Sequence, residues 1–238
     1  MRRFYASKSN FSSDTVTLDA DETRHLRDVL RLKIGDEANV FDGEGNEFKC
    51  TIAAIGKKEA VLAIMQKIAP TAPESPLGLT LAVSLLKGEK FDLLTQKAVE
   101  LGVTTLIPIE SARAEARGGD REKRRSRWHK IALGAAKQCG RATLMSVESP
   151  QRFPEFARNA KGLVYFFTER GGSGFPVSIT EQKITAVVGP EGGWDDLEIE
   201  LARSSGFDLV TFGGRILRAE TASISVAAIL QHEFGDLR

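Results

Sequence analysis

The chain is poor in the residues on which small secreted domains and metal centres depend. Of its 238 residues only two are cysteine and three are histidine. Cys50 and Cys139 lie far apart, with no neighbouring Cys or His to complete a zinc spacing. Both therefore read as reduced thiols of a cytoplasmic protein, and no metal is expected. No apolar run approaches the ~20 residues that span a bilayer. The opening Met1-Arg2-Arg3-Phe4-Tyr5 lacks the apolar core of a signal peptide, so no membrane partner is expected. Gly-x-x-x-x-Gly-Lys-Ser/Thr is absent, which removes a P-loop, and no Gly-x-Gly-x-x-Gly opens an early strand-to-helix turn. Nor do the histidines supply a nucleophilic triad. His232 reads as a surface residue suited to a helix C-terminus, His129 as an RNA or solvent contact, and His25 either as a phosphate contact or as a local cap.

What remains is ordinary in amount and uneven in placement. Apolar residues make up 42% and charged residues 27%, enough for a sizeable core in one large domain or two modest ones. The net charge of +1 conceals residues 111–145, where ten basic side chains meet three acidic ones. That run is either an electrostatic footprint for a polyanion or a solvated helix face with a basic loop.

A boundary falls at Ala69–Pro76, where Pro70, Pro73 and Pro76 restrict the chain to extended backbone. Before it, short strand-like pieces at Arg3–Ala6, Val16–Leu18, Ala38–Phe41, Glu47–Ile55 and Ala60–Met65 surround one helix starting at Asp19 or Asp21. Asp42–Asn46 is turn chemistry for a hairpin. Residues 1–70 thus read as a small β-barrel. Residues 76–238 alternate instead. Strands at Leu79–Leu86, Val103–Ile109, Leu163–Phe167, Ile184–Val188 and Leu209–Phe212 are separated by helices, including a basic one over 120–138. The rhythm predicts an α/β domain with a mostly parallel sheet covered on both faces.

Two glycine-rich segments, Gly189-Pro190-Glu191-Gly192-Gly193 and Gly213-Gly214-Arg215-Ile216-Leu217-Arg218-Ala219-Glu220-Thr221-Ala222, each follow a strand and open into a helix. Alone they are two tight turns or a place where backbone approaches a ligand. Together, in this order, they resemble the cofactor-binding signature of the knotted SPOUT methyltransferases. Their wording is similar to the branch that methylates N3 of a uridine in 16S ribosomal RNA, the RsmE family. Lys97-Ala98-Val99-Glu100-Leu101-Gly102-Val103, the helix carrying Trp128, Lys130, Ile131, Ala135, Ala136, Gln138 and Arg141, and His25-Leu26 with Val29, Leu30 and Arg31 extend the resemblance over the whole chain. Val99 and Cys139 stand where the family commonly has Thr and Ser, and Ala142–Met145 lacks the usual proline.

The resemblance implies a PUA-like RNA-binding barrel over 1–70 and a SPOUT domain with a trefoil knot over 76–238. It also implies S-adenosyl-L-methionine as methyl donor, a homodimer, and 16S ribosomal RNA or the small ribosomal subunit as partner. Cofactor contacts would come from Gly189, Glu191, Gly192, Phe212, Gly213, Ile216, Leu217 and Thr221. RNA contacts would come from Arg2, Arg3, His25, Arg31, Arg124, Arg125, Arg127 and Arg141. Arg218 is the candidate for stabilising the uracil anion, with Glu191 and Glu220 as candidate proton acceptors. Either carboxylate has a helix-capping alternative, which comes first for Glu220. Ribose 2′-O methylation, or a non-catalytic role in ribosome assembly, are the competing functions.

Overall fold

The computed structural model describes residues 2–114, 120–175, 178–179, 181–211 and 213–237, which form two compact units. The first comprises residues up to Glu74 together with Ala136–Leu144. Its sheet runs β1 (Arg3–Tyr5), β3 (Glu37–Phe41), β4 (Glu47–Ile55), β5 (Ala60–Ile68), β2 (Thr15–Leu18), antiparallel except for the β1–β3 pair. Register shifts at Lys49/Cys50 and Ile52/Ala54 in the β4–β5 ladder add twist, and the sheet curls into a half-barrel. Phe4, Val16, Leu18, Leu26, Val40, Ile52 and Leu62 fill its interior, in keeping with period-2 alternation along each strand. Helix α1 (Ala20–Arg24) starts at Asp19, whose Oδ1 accepts from the amides of Asp21 and Glu22 at 3.0 and 2.9 Å. The helix continues as a π-turn over His25–Val29. Asp42 organises the β3–β4 turn by accepting from the amides of Glu44 and Asn46, while Gly43 and Gly45 take positive φ.

Arg3 and Arg141, expected on the RNA-facing surface, are instead interior residues. Arg3 is 2% exposed. Its guanidinium reaches both carboxylate oxygens of Glu47 at 3.1 and 3.2 Å, and the carbonyls of Ala136 and Arg141 at 2.9 and 2.8 Å. It also lies 4.0 Å from the Phe41 ring centroid. Arg141 is 4% exposed and forks onto Glu74. Every donor so used is withdrawn from phosphate, which corrects the assignment of both residues.

The second unit carries a seven-stranded sheet in the order β12 (Asp208–Val210), β10 (Leu163–Phe167), β11 (Lys183–Val188), β6 (Gly78–Ser84), β7 (Thr105–Glu110), β8 (Ser146–Val147), with β9 (Gln151–Arg152) also on β7. All its pairings are parallel. The central strands are apolar on both faces, as a sheet covered twice requires. On one face α4 (Phe153–Asn159) and α5 (Asp196–Ser204) close over Ala82, Ile109, Val164, Phe166, Val187 and Trp194. Helices α2 (Lys90–Glu100) and α6 (Ala219–Phe234) pack on each other, and α6 on β6 and β11. Helix α3 (Arg121–Cys139) begins in this unit, and its last turn is counted with the first. The two-residue strands β8 and β9 had no counterpart in the sequence pattern, because two residues show no periodicity.

Burial alone would raise the Glu47 carboxyl, yet hydrogen bonds from Arg3, the Thr71 amide and Asn39 hold it below the usual carboxylate range. A carboxyl lowered in the folded state stabilises fully above its unfolded pKa. That contribution disappears as pH falls through the lowered value. Arg3→Met strands the Glu47 charge and should destabilise the protein by about 3–5 kcal/mol near neutral pH, measured by urea denaturation. A residue serving only RNA would leave the unfolding midpoint unchanged.

Cys50 is fully buried and its thiol is pushed up to about 12 by desolvation. Cys139 is only partly covered. Thiol titration at pH 8 should therefore label Cys139 in the native protein and Cys50 only after unfolding.

Candidate active site

Strands β10, β11 and β12 end side by side, and the segments leaving them build one cavity at the carboxyl edge of the sheet. The first wall is the turn after β11. There the Gly193 amide donates to Pro190 O at 3.0 Å, and Gly193 takes φ +70°. A Cβ built on Gly189 would lie 2.7 Å from Trp194 Nε1, inside any real contact distance. Glycine is therefore required at Gly189 by the indole packed against it. That indole is 1% exposed and donates to Phe167 O at 2.9 Å, clamping the turn to the end of β10. Asp195 then caps α5 in a capping box with Glu198, whose other oxygen accepts from the Ala112 amide at 2.7 Å.

The second wall is the segment Gly213–Arg218 before α6. Arg218 occupies the N-cap position but its side chain makes no capping bond and is exposed. Ile216 is 95% exposed. The cavity enclosed measures about 320 Å³ and is lined by Phe167–Glu169, Val188–Trp194, Arg215–Leu217, Ala219, Ala222 and Val226, a size suited to a small-molecule ligand.

Of the expected cofactor contacts, Gly189, Glu191, Gly192, Ile216 and Leu217 line this cavity. Gly213 lines a second hollow with Gly214, Arg215, Leu217, Ser225, Ala228 and Ile229. Thr221 is exposed on the first turn of α6 and lines neither. Phe212 lies outside the described residues. Two participants escaped the sequence reading. Glu169 is a cavity-lining carboxylate directly after β10, a place the carboxyl-edge rule could have flagged. Lys90, at the start of α2, pairs with Glu191 and lies 3.6 Å from Glu220 Oε1. Its ammonium is held above the ordinary lysine range, first by the Glu191 hydrogen bond and also by Glu220, against desolvation and Arg218. Glu220 Oε2 is buried without a hydrogen-bond partner.

Among the expected RNA contacts, Arg2 and Arg31 are exposed, and Arg31 takes φ +53°. His25 is half-buried, edge-on to Phe4 at 6.0 Å. On α3, Arg125 donates to Val147 O at 3.0 Å, Arg127 pairs with Asp92, and Arg124 is half-buried. His129 is pushed down by desolvation and by Arg125, so its ring is neutral at neutral pH and adds no charge to the helix. Among the described residues there is no cluster of His, Cys, Asp and Glu able to hold a metal, and no helix is long and apolar enough to cross a membrane.

Residues 73–231 match the family model of an RNA methyltransferase domain, and residues 18–65 that of an RNA methyltransferase PUA domain. The chain is 34% identical over 224 residues to the ribosomal RNA small subunit methyltransferase E of Synechocystis, covering 90% of this chain and 72% of that protein. The chain belongs to the ribosomal RNA small subunit methyltransferase E family. Within that family, the crystal structure from Neisseria gonorrhoeae bound to S-adenosyl methionine superposes with TM-score 0.90 at 34% identity, covering 100% of both chains. A methyltransferase of Legionella pneumophila in complex with the same cofactor gives TM-score 0.90 at 30% identity, with 99% of each chain covered. The α/β architecture with its N-terminal PUA-like half-barrel is thus the architecture of the family.

Gly189→Ala should displace the Trp194 indole and break its bond to Phe167. The expected cost is about 1–3 kcal/mol of stability together with loss of ligand binding in the cavity. Gly192→Ala, whose Cβ would meet nothing closer than Arg113 Cβ at 3.5 Å, should leave stability unchanged. Thermal denaturation and calorimetry on the two variants separate the roles of the two glycines.

Proposed function

We propose that this chain methylates N3 of a specific uridine in small-subunit ribosomal RNA, with S-adenosyl-L-methionine as donor, acting as a cytoplasmic homodimer. The observation that carries this reading is the convergence of both glycine-rich segments on one cavity, with Arg218, Glu191 and Lys90 grouped beside it. The cavity fits the cofactor in kind. Phe167, Val188, Ala222 and Val226 offer an apolar surface for a flat heterocycle, and the Pro190–Gly193 turn presents backbone polar groups that carry little side-chain cover. When bound there, the cofactor supplies a methyl group activated by a sulfonium. Gly189, Glu191, Gly192, Ile216 and Leu217 would hold it.

The chain's own task is to prepare the uracil. N3 carries a proton and is a poor nucleophile until that proton leaves. Arg218 stabilises the negative charge that develops on the ring carbonyls, and Glu191, a cavity-lining carboxylate, accepts the proton. N3 lies on the Watson–Crick edge, so the target is single-stranded or flipped from its stack. Arg2, His25, Arg31, Arg124, Arg125 and Arg127 hold the surrounding phosphates. The division of labour follows residues 1–70 as RNA-binding domain and 76–238 as catalytic domain with a trefoil knot. The apolar residues Leu217, Ala228 and Ile229 of the second hollow support a dimer contact near α6.

Primer extension on small-subunit RNA treated with the enzyme and cofactor should stop one nucleotide before the target, because N3 methylation blocks pairing. A ribose 2′-O methyl would give only a conditional pause, and unmodified RNA would refute enzymatic methylation. Arg218→Ala should lower the single-turnover rate about 10²–10³-fold, with RNA affinity falling much less. Rising pH should narrow the deficit as the uracil ionises unaided.

A further inference from the structure

Lys90 has no role in the reading above beyond its position, yet it is the hub of the charges at the cavity. Its ammonium pairs with Glu191 on the turn after β11 and lies 3.6 Å from Glu220 Oε1 on the first turn of α6. Arg218, at the N-cap of the same helix, is close enough to act on it electrostatically. The Lys90 and Glu191 side chains are 35% and 27% exposed, so both are reachable by a ligand. Glu220 is 13% exposed and lies behind them.

Uracil presents a carbonyl, an N–H and a second carbonyl along its Watson–Crick edge, that is acceptor, donor, acceptor. Cytosine presents an amino donor, a bare ring nitrogen and one carbonyl. A site selecting uracil therefore needs two donors and one carboxylate acceptor. We propose that Lys90, Glu191 and Arg218 are that set, and that Lys90 is a specificity-determining catalytic residue donating to uracil O4 beside the N3–H taken by Glu191, with O2 left to Arg218. The inference rests on the N3-uridine reading and names how the same site chooses its base.

An ammonium has three N–H groups, so Lys90 can keep Glu220 while turning one donor from Glu191 to the substrate. Its raised pKa keeps it charged and excludes it as the proton acceptor. In the transfer step the N3–H bond breaks, the proton passing to a Glu191 oxygen and the electron pair remaining on N3. That pair forms the new bond to the methyl carbon, the pair of the broken carbon–sulfur bond returns to sulfur, and Glu191 releases its proton to water. Charge growing on the carbonyls as N3 ionises strengthens the bonds from Lys90 and Arg218, so the contacts that select uracil also lower the barrier. With cytosine, Lys90 would face an amino group and Glu191 a lone pair, two repulsive contacts in place of two bonds. Glu220 is a positioning residue that fixes the ammonium between the two walls.

The test uses cofactor-free protein and small-subunit RNA whose mapped target uridine is replaced by cytidine. Wild type should bind the uridine RNA about 10–100-fold more tightly. Lys90→Met should reduce that ratio towards one, by weakening binding of the uridine RNA and relieving the donor–donor repulsion in the cytidine RNA, and should lower the single-turnover rate about 10²–10³-fold with cofactor affinity intact. Lys90→Arg, which keeps a cationic donor, should retain most of the discrimination. In cofactor-free Glu220→Gln protein the Lys90 ammonium, followed by NMR, should titrate at lower pH than in wild type. Full discrimination in Lys90→Met, or equal wild-type binding of both RNAs, would overturn the proposal. An unmoved Lys90 titration would remove Glu220 from it. A wild-type enzyme that places no methyl on N3 defeats the functional reading instead, and is recognised before any variant is made.

Discussion

The site depends on one side chain that touches no expected substrate. Trp194 sits in the space left by the missing Cβ of Gly189, bonds to the end of β10 through Phe167 O, and packs at a tilt against Phe166 and Phe153, with ring centroids at 4.5 and 5.0 Å. It thereby locks the turn 189–193 to the sheet, to α4 and to the start of α5. Backbone recognition of a ligand works only when the backbone does not yield, because an amide displaced by a fraction of an ångström loses its hydrogen bond. A buried indole supplies that stiffness at little entropic cost, having two side-chain torsions to fix. The glycine and the tryptophan are thus one device: the first admits the second, and the second holds the first.

A similar dependence governs the N-terminal unit, with charge in place of an aromatic ring. Arg3 and Glu47 are an ion pair with side chains 1% and 0% exposed, and neither could be interior without the other. Arg3 also satisfies carbonyls at Ala136 and Arg141, so the last turn of α3 and the segment after it are stitched into this unit by backbone contacts to one guanidinium. Lys137 adds a pair to Glu22, and Arg141 one to Glu74. Arg3 and Arg141, which the sequence assigns to an RNA-facing surface, together with Lys137 attach residues 136–144 there.

This explains which parts of the fold were legible in advance. Strands such as Glu47–Ile55 and Leu163–Phe167 were readable because alternation or continuous apolarity extends over enough residues to exclude a helix. The helix start at Asp19 or Asp21 was readable because a short acidic side chain satisfies free amides there, and the structure gives that place to Asp19. The glycine segments were readable through family wording, and their convergence on one cavity follows from strand order, which no local pattern encodes. Lys90 and Glu169 were not legible for the same reason: one is an ordinary polar residue at a helix start and the other in the segment after a strand, each made significant by neighbours about 100 and 25 positions away. Arg3 and Arg141 misled because burial of an arginine depends on a partner carboxylate whose identity only the fold supplies.

The same partnering changes the meaning of the basic segment 111–145. Its excess of cations is local in sequence, while the acids that answer it come from elsewhere: Asp195 for Arg113, Glu110 for Arg121, Asp92 for Arg127, Glu22 for Lys137 and Glu74 for Arg141. The field felt by an approaching polyanion is therefore weaker than the count implies, and it is concentrated where cations lack such partners. Lys123 and Lys130 are exposed on α3 without an ion pair among the described residues. Phosphate contacts of this kind hold RNA without choosing among bases. Selection of the base must then fall on the few charges at the cavity, where Lys90, Glu191, Glu220 and Arg218 are balanced in sign and set by two helix starts and one glycine turn. A balanced cluster exerts little long-range pull, yet at hydrogen-bonding distance it discriminates by the order of its donors and acceptors. Distance thus separates the two tasks: unpaired surface cations attract the strand, and the paired charges beside the cavity decide which base reacts.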